Sequence, residues 1–173
     1  MKIKMKMNIL KLIIIFLCSS TATISCLGSD RIVCDKFKIL YRLNGNLLEL
    51  SLNTDLPDHI ALTVSVSRSC FEKVSAKEFS FAYFSKKSTV GQWKDPRQIS
   101  LDNKNWLSAL KVKQKEMASV GLEFDLEQIT DKIKIYMAVP HQEGLGKNNE
   151  NLTGTLVNKD RTVSEEVYLK YPL

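Results

Sequence analysis

Apolar residues occupy every second position in residues 37–43 and again in residues 48–52. This two-residue period is that of a β-strand with one buried face. Asn44-Gly45 separates the two runs, and an Asn-Gly step between alternating apolar residues is a strong hairpin signal. The pattern therefore predicts an antiparallel hairpin, which a turn at residues 55–58 follows.

The same alternation recurs farther along the chain, and one segment has a helical period instead. Strands are predicted around residues 62–66, 79–83, 98–101, 133–139, 152–157 and 163–171. Residues 103–120 predict a helix, because Asp102 can cap its start, Trp106 and Leu110 fall on one face, and Gly121 can end it.

About eight short strands with one inserted helix predict an antiparallel β-sandwich. Two alternatives fit the same pattern: a β-barrel, and an α+β fold with the helix packed on one sheet. Residues 32–173 contain no linker, repeat or low-complexity block, and their number suits one β-rich domain.

The first 25 residues have a different character from the rest. Lysines at positions 2, 4, 6 and 11 lead into the apolar run 12–17, and a small, polar segment follows. A charged start, a short apolar centre and a small-residue end predict an export signal peptide over residues 1–25. The apolar run is far shorter than the roughly 20 residues that a membrane-spanning helix needs.

The sequence offers two alternative cleavage sites for this signal peptide. Ser20-Thr21-Ala22 suits ordinary signal peptidase, which would release a soluble secreted or periplasmic protein. Thr23-Ile24-Ser25-Cys26 resembles the lipobox of exported bacterial lipoproteins, although Thr23 stands where that family usually has Leu, Val or Ile. The resemblance implies that Cys26 carries a lipid, that residues 26–31 form a tether, and that the protein is attached to the cell envelope.

The residue after Cys26 indicates the membrane to which a lipid on Cys26 would attach the protein. In lipoproteins of this kind an Asp directly after the cysteine commonly marks retention at the inner membrane, and this chain has Leu27 there. The resemblance therefore favours the outer membrane in a cell that has two.

Cysteine parity supports lipidation. Either cleavage removes Cys18, and a lipid on Cys26 leaves Cys34 and Cys70 as one even pair. We therefore expect a Cys34–Cys70 disulfide, which would add about 3–4 kcal/mol by closing a loop of about 36 residues. The alternative is two buried free thiols that pack as small apolar residues.

The charge of the exported part gives no reason to expect nucleic acid binding. The whole chain has a net charge of +6, but residues 1–25 contain four lysines and no acidic residue. The remaining charge of +2 is too small to produce the positive field that nucleic acid binding requires.

Known catalytic motifs are absent, so we expect a non-enzymatic protein without a metal or cofactor. The two histidines, His59 and His141, both fall in predicted turns or strand ends. A hydrolase that uses His141 with Ser67, Ser69 or a carboxylate remains an alternative, because catalytic triads assemble from distant positions.

Binding is expected at loops. Trp93 lies between polar residues in a predicted loop, and residues 142–151 form a long polar loop containing Leu145, Asn148 and Asn149. Rigid β-sheets commonly present functional residues on such loops. We therefore predict an envelope-anchored protein that binds a protein or an envelope polymer. An inhibitor or immunity-type protein, or a purely structural component, would have the same sequence features.

Overall fold

The computed structural model describes residues 31–173, so the predicted signal peptide and the predicted lipidation site Cys26 lie outside the described part of the chain. Arg31–Leu173 form one compact unit. Its strands are β1 (Ile32–Val33), β2 (Phe37–Asn44), β3 (Leu47–Thr54), β4 (Ala61–Glu72), β5 (Glu78–Thr89), β6 (Arg97–Ser100), β7 (Phe124–Asp125), β8 (Lys132–Val139), β9 (Leu152–Thr153) and β10 (Val163–Lys170). Its α-helices are α1 (Gly91–Lys94) and α2 (Asn103–Ala118), and two short 3-10 helices cover Glu143–Leu145 and Lys147–Asn149.

Most strands belong to two antiparallel sheets. The larger sheet has the order β10-β8-β4-β5, and β7 pairs with the far end of β4. The smaller sheet has the order β2-β3-β6. A separate parallel pair joins β1 to β9. The prediction of a mainly β, antiparallel sandwich is confirmed, and the sheets do not close into a barrel.

The predicted hairpin is formed by β2 and β3. Asn44 pairs with Leu47, so Gly45 and Asn46 are the two turn residues. Gly45 has φ +60°, a backbone conformation that glycine adopts at little cost. The hairpin places Leu48, Leu50 and Leu52 on the inner face of the smaller sheet, where each is at most 2% exposed.

The main core lies between the two sheets. The leucines of β3 belong to one hydrophobic cluster with the alternating apolar residues of β4 and β8. On β4 these are Leu62, Val64 and Val66, and on β8 they include Ile133 and Ile135. The period-two pattern of the sequence thus marks the inner faces of both sheets.

Helix α2 forms a second core at the other end of β4 and β5. Trp106 and Leu110 pack in a cluster with Cys70 and Phe124. A bulge in the pairing of β4 with β5 leaves Tyr83 as the extra residue, and its ring stacks on Trp106 at 5.3 Å. The helix therefore covers the part of the larger sheet that this second cluster occupies.

The boundaries of α2 follow the sequence closely. The carboxylate of Asp102 accepts a hydrogen bond from the Asn105 backbone N–H at 2.9 Å, which is the predicted N-terminal cap. The helix ends at Ala118, and Gly121 has φ +80°. Within residues 31–173, no helix has the length and apolar character that crossing a membrane requires.

The strand predicted over residues 152–157 is shorter than expected. Only Leu152–Thr153 pair, with β1. Gly154 has φ +121°, and a Cβ atom there would come within 2.3 Å of the Cys34 carbonyl oxygen. The chain turns at this close approach, so the apolar residues that follow do not continue the strand.

Candidate functional site

The expectation of an exposed, loop-borne Trp93 was wrong. Trp93 lies in α1, is only 3% exposed and belongs to the main core. Its indole Nε1 donates a hydrogen bond to the Ser88 hydroxyl at 2.6 Å, and its ring packs edge-on against Phe84. One short helical turn folds the tryptophan inward, so its side chain is unavailable to a partner.

The expected Cys34–Cys70 disulfide is not formed; both residues are buried free cysteines. Cys34 belongs to the main core between the sheets, whereas Cys70 packs in the cluster under α2. Burial raises the pKa of each thiol to about 11, and the negative charge of Asp55 adds to the effect at Cys34. Both thiols are therefore protonated and unreactive at neutral pH.

The long loop between β8 and β9 is folded around the buried amide of Asn149. Its Oδ1 accepts a hydrogen bond from the Gln142 backbone N–H at 2.9 Å. Its Nδ2 donates to the carbonyl oxygens of Pro140 at 3.2 Å and Arg161 at 3.0 Å. The Asn149 side chain, which has no solvent exposure, thus connects the start of the loop, at Pro140 and Gln142, to the turn before β10 at Arg161.

Gln142 attaches the loop to the larger sheet. Its Oε1 accepts a hydrogen bond from the Ala61 backbone N–H at 2.8 Å, and its Nε2 donates to the Ala61 carbonyl oxygen at 3.3 Å. The amide group thereby pairs with the first residue of β4 as a neighbouring strand would. Leu145 fills the core beneath the loop and is completely buried.

The loop backbone adopts several left-handed conformations. Gly146, Asn148 and Asn149 have φ values of +77°, +53° and +56°. A side chain at Gly146 would meet the Asn151 amide at 2.6 Å from its Cβ. Such conformations persist only where the surrounding contacts enforce them, and they cluster at functional sites.

The surface of this loop bounds an open cleft of about 480 Å³. Its lining includes His141, Glu143, Lys147 and Asn148, all of which are exposed. The cleft combines acidic and basic side chains with amides, and none of its lining residues has a purely hydrocarbon side chain. It is suited to polar contacts with a partner whose surface also carries both signs of charge.

The pKa of one acidic residue outside the cleft lining, Asp160, is lowered. Hydrogen bonds from Thr162, chiefly that of its hydroxyl at 2.6 Å, hold the pKa of Asp160 below its ordinary value, and the charge of His141 acts in the same direction. Asp160 is therefore ionised wherever the protein is folded near neutral pH.

Of the four residues predicted to bind a partner, only Asn148 is exposed in the cleft. Trp93, Leu145 and Asn149 are buried, and they support the fold and the loop instead. Sequence reasoning missed Glu143 and Lys147, although both lie in the polar run that it identified. The loop has no regular hydrophobic period, so the sequence contains no signal that separates its inward-facing residues from its outward-facing ones.

Of the partners proposed for His141 in a hydrolase, the two serines do not line its cleft, whereas a carboxylate, that of Glu143, does. Ser67 lines a different groove on the outer face of the larger sheet, and the cleft at His141 is lined by no serine, threonine or cysteine. Among residues 31–173, no three side chains of the His, Cys, Asp or Glu type are grouped so that they could hold a metal ion.

Comparisons with protein-family models, with curated proteins and with solved structures gave no match for this chain.

Proposed function

We propose that the protein is an envelope-anchored, non-enzymatic lipoprotein that binds a protein partner through the cleft at residues 141–148. The observation that carries this proposal is the construction of the loop. One fully buried amide, that of Asn149, holds three backbone groups, while its neighbour Asn148 is exposed in the cleft. The loop is thus a fixed surface.

A fixed loop is what a binding surface needs. Association costs free energy whenever interface side chains and loops must be ordered, and a loop already held in one conformation avoids much of that cost. The exposed charges of Glu143 and Lys147 can then select a partner by complementary charge.

Anchoring rests on the lipobox resemblance at Cys26. The test compares the wild type with Cys26→Ala in a bacterial host, by separating membrane from soluble fractions and measuring intact mass. The expected result is a diacyl or triacyl mass increment at Cys26 and membrane attachment, both lost in the variant. A soluble wild-type product that begins at Thr23 would contradict anchoring.

The binding surface is tested separately by photo-crosslinking in cells. A photoreactive residue is placed at Asn148 and, as a control, at Val112, which is 60% exposed on α2. We expect one discrete protein adduct from position 148 and none from position 112. The charge reversal Lys147→Glu should remove the adduct, whereas Lys111→Glu on α2 should not. Equal adducts from both positions, or none, would contradict a binding role for the cleft.

A further inference from the structure

A second concave surface lies on the outer face of the larger sheet. Leu62, Val64 and Val66 of β4 face the core, so the alternate residues of that strand face outward. Ser65 and Ser67 are two of these residues, and they line a groove of about 260 Å³. This groove is formed by side chains of different elements from those of the loop cleft.

The groove crosses the whole width of the four-stranded part of the sheet. Ser65 stands opposite Tyr136 of β8, which in turn stands opposite Glu166 of β10. Ser67 lies between Lys134 of β8 and Ala82 of β5. Adjacent strands are about 4.8 Å apart, so four strands give the groove a length of about 14 Å.

Small side chains form the floor of the groove, and longer polar side chains line one of its sides. Ser65, Ser67 and Ala82 allow a ligand to approach the sheet closely, while Lys134, Tyr136 and Glu166 line the side toward β10. This arrangement gives one ligand access to the small floor and to the longer side chains at once.

The hydroxyl of Ser67 has unused hydrogen-bonding capacity. Ser67 is 5% exposed and lines the groove, and its hydroxyl takes part in none of the side-chain hydrogen bonds found among residues 31–173. The hydroxyl oxygen is open to the groove, since it is not among the buried side-chain atoms that lack a partner. A ligand hydroxyl in the groove would supply both a donor and an acceptor for it.

The charges of the groove balance each other. Lys134 Nζ lies 3.9 Å from Glu166 Oε1, and the Tyr168 hydroxyl donates a hydrogen bond to Glu166 Oε2 at 3.0 Å. Because a cation and an anion are adjacent, the groove has no field of one sign that would attract an acidic or basic ligand. A ligand therefore needs no net charge to match the groove, and its polar groups can pair with the ammonium and the carboxylate as neutral donors and acceptors.

Two other classes of ligand fit the groove less well. An apolar ligand would cover the serine hydroxyls and the Lys134–Glu166 pair without giving them partners, which costs free energy. An extended peptide is usually bound by adding a strand at a sheet edge, but β4 and β8 are inner strands whose backbone groups pair with both neighbours.

We propose that this groove binds a neutral, hydroxyl-rich chain, that is, an oligosaccharide segment of an uncharged glycan. The serine hydroxyls, the Lys134 ammonium and the Glu166 carboxylate donate to and accept from sugar hydroxyls. The Tyr136 side chain offers the one aromatic ring of the groove to a sugar face. This site is independent of the loop cleft and of the proposed protein partner.

The test titrates the protein with cellotetraose and chitotetraose, two neutral oligosaccharides, and follows backbone amide signals by NMR. Tetragalacturonic acid and tetra-alanine are the charged and peptide comparators. We expect saturable shifts at Ser65, Ser67 and Tyr136 with at least one neutral sugar. Absence of saturable shifts with both sugars, or shifts only with a comparator, would overturn the proposal.

A matched pair of β5 variants locates the site. Ala82→Leu places a larger side chain on the groove floor, whereas Lys87→Leu adds the same side chain on the same strand, opposite Thr63 and outside the groove lining. We expect Ala82→Leu to weaken sugar binding about tenfold and Lys87→Leu to leave it unchanged. Tyr136→Phe, which keeps the ring, should weaken binding less than Ala82→Leu. Equal affinities for the wild type, Ala82→Leu and Tyr136→Phe would overturn this location.

Discussion

Replacing Asn149 by glycine tests whether one buried amide holds the loop. The side chain makes three hydrogen bonds to backbone groups, at 2.9, 3.2 and 3.0 Å, and has no solvent exposure. At about 1 kcal/mol for each bond, Asn149→Gly should lower the free energy of unfolding by about 3 kcal/mol. Glycine also accepts the left-handed backbone at this position, so the loss reports the side chain and not backbone strain.

Asn148→Gly is the matched control. Asn148 has nearly the same φ, +53° against +56°, but its side chain is exposed and makes no hydrogen bond within residues 31–173. Relief of backbone strain and the entropic cost of glycine oppose each other there, so the change in stability should stay below about 1 kcal/mol.

Urea unfolding at equilibrium measures both variants. A loss of about 3 kcal/mol shifts the midpoint downward by about 1–3 M, because a domain of this size loses about 1–3 kcal/mol of stability per molar urea. The midpoint of Asn148→Gly should remain close to that of the wild type. Similar midpoints for the two variants would refute the reasoning, since the hydrogen bonds would then contribute nothing beyond the backbone conformation.

Three further predictions concern buried or hydrogen-bonded groups. Trp93→Phe loses the indole hydrogen bond and part of the core volume, so calorimetry should show that the free energy of unfolding falls by about 1–2 kcal/mol. An unchanged thermal midpoint would contradict the core position of Trp93. Cys34 and Cys70 have pKa values of about 11, so they should resist alkylation in the native protein at pH 8 and react after unfolding, as measured by mass spectrometry. Rapid alkylation of the native protein would contradict their burial. Thr162→Val removes the main hydrogen bond to Asp160 and should raise its pKa toward the ordinary value in a carboxyl NMR titration; an unchanged pKa would contradict that cause.

Local signals predicted much of the fold. The hairpin required only an Asn-Gly step between two alternating runs, and α2 required only an Asp cap, an apolar face and a glycine. Each signal lies within a few residues of the structure that it determines. The sandwich followed because alternating strands must bury one face against another layer.

The errors share a different cause, which is that the contacts burying these residues form in irregular segments of the chain. Asn149 is buried because Pro140 and Arg161 supply carbonyl partners for its amide, and nothing near it in the sequence reveals them. Trp93 is buried because α1 turns it toward the core. In both cases an irregular segment has no period from which the inward direction could be read.

Strand β4 shows how a regular pattern can carry information that polarity alone conceals. Its outward residues Ser67 and Ser69 are only 5% and 7% exposed, so the polar face of this strand is not a freely solvated one. Arg68 occupies an inward position of the same alternation and is completely buried. Arg68 is therefore an internal cation, although its residue type alone would place it on the surface.

The surroundings of Arg68 explain why the fold tolerates it. Its guanidinium donates to the carbonyl oxygens of Thr130 at 3.1 Å and Tyr171 at 2.6 Å, and the rings of Tyr83, Trp106 and Tyr171 lie within 6 Å. Carbonyl dipoles and aromatic faces thus replace water around most of the charge, whereas Nε is buried without a hydrogen-bond partner among residues 31–173. Because Tyr171 directly follows β10, Arg68 also fastens the end of that strand to the centre of the sheet. The residue that breaks the apolar pattern of β4 therefore joins β10 to the part of the sheet that α2 covers.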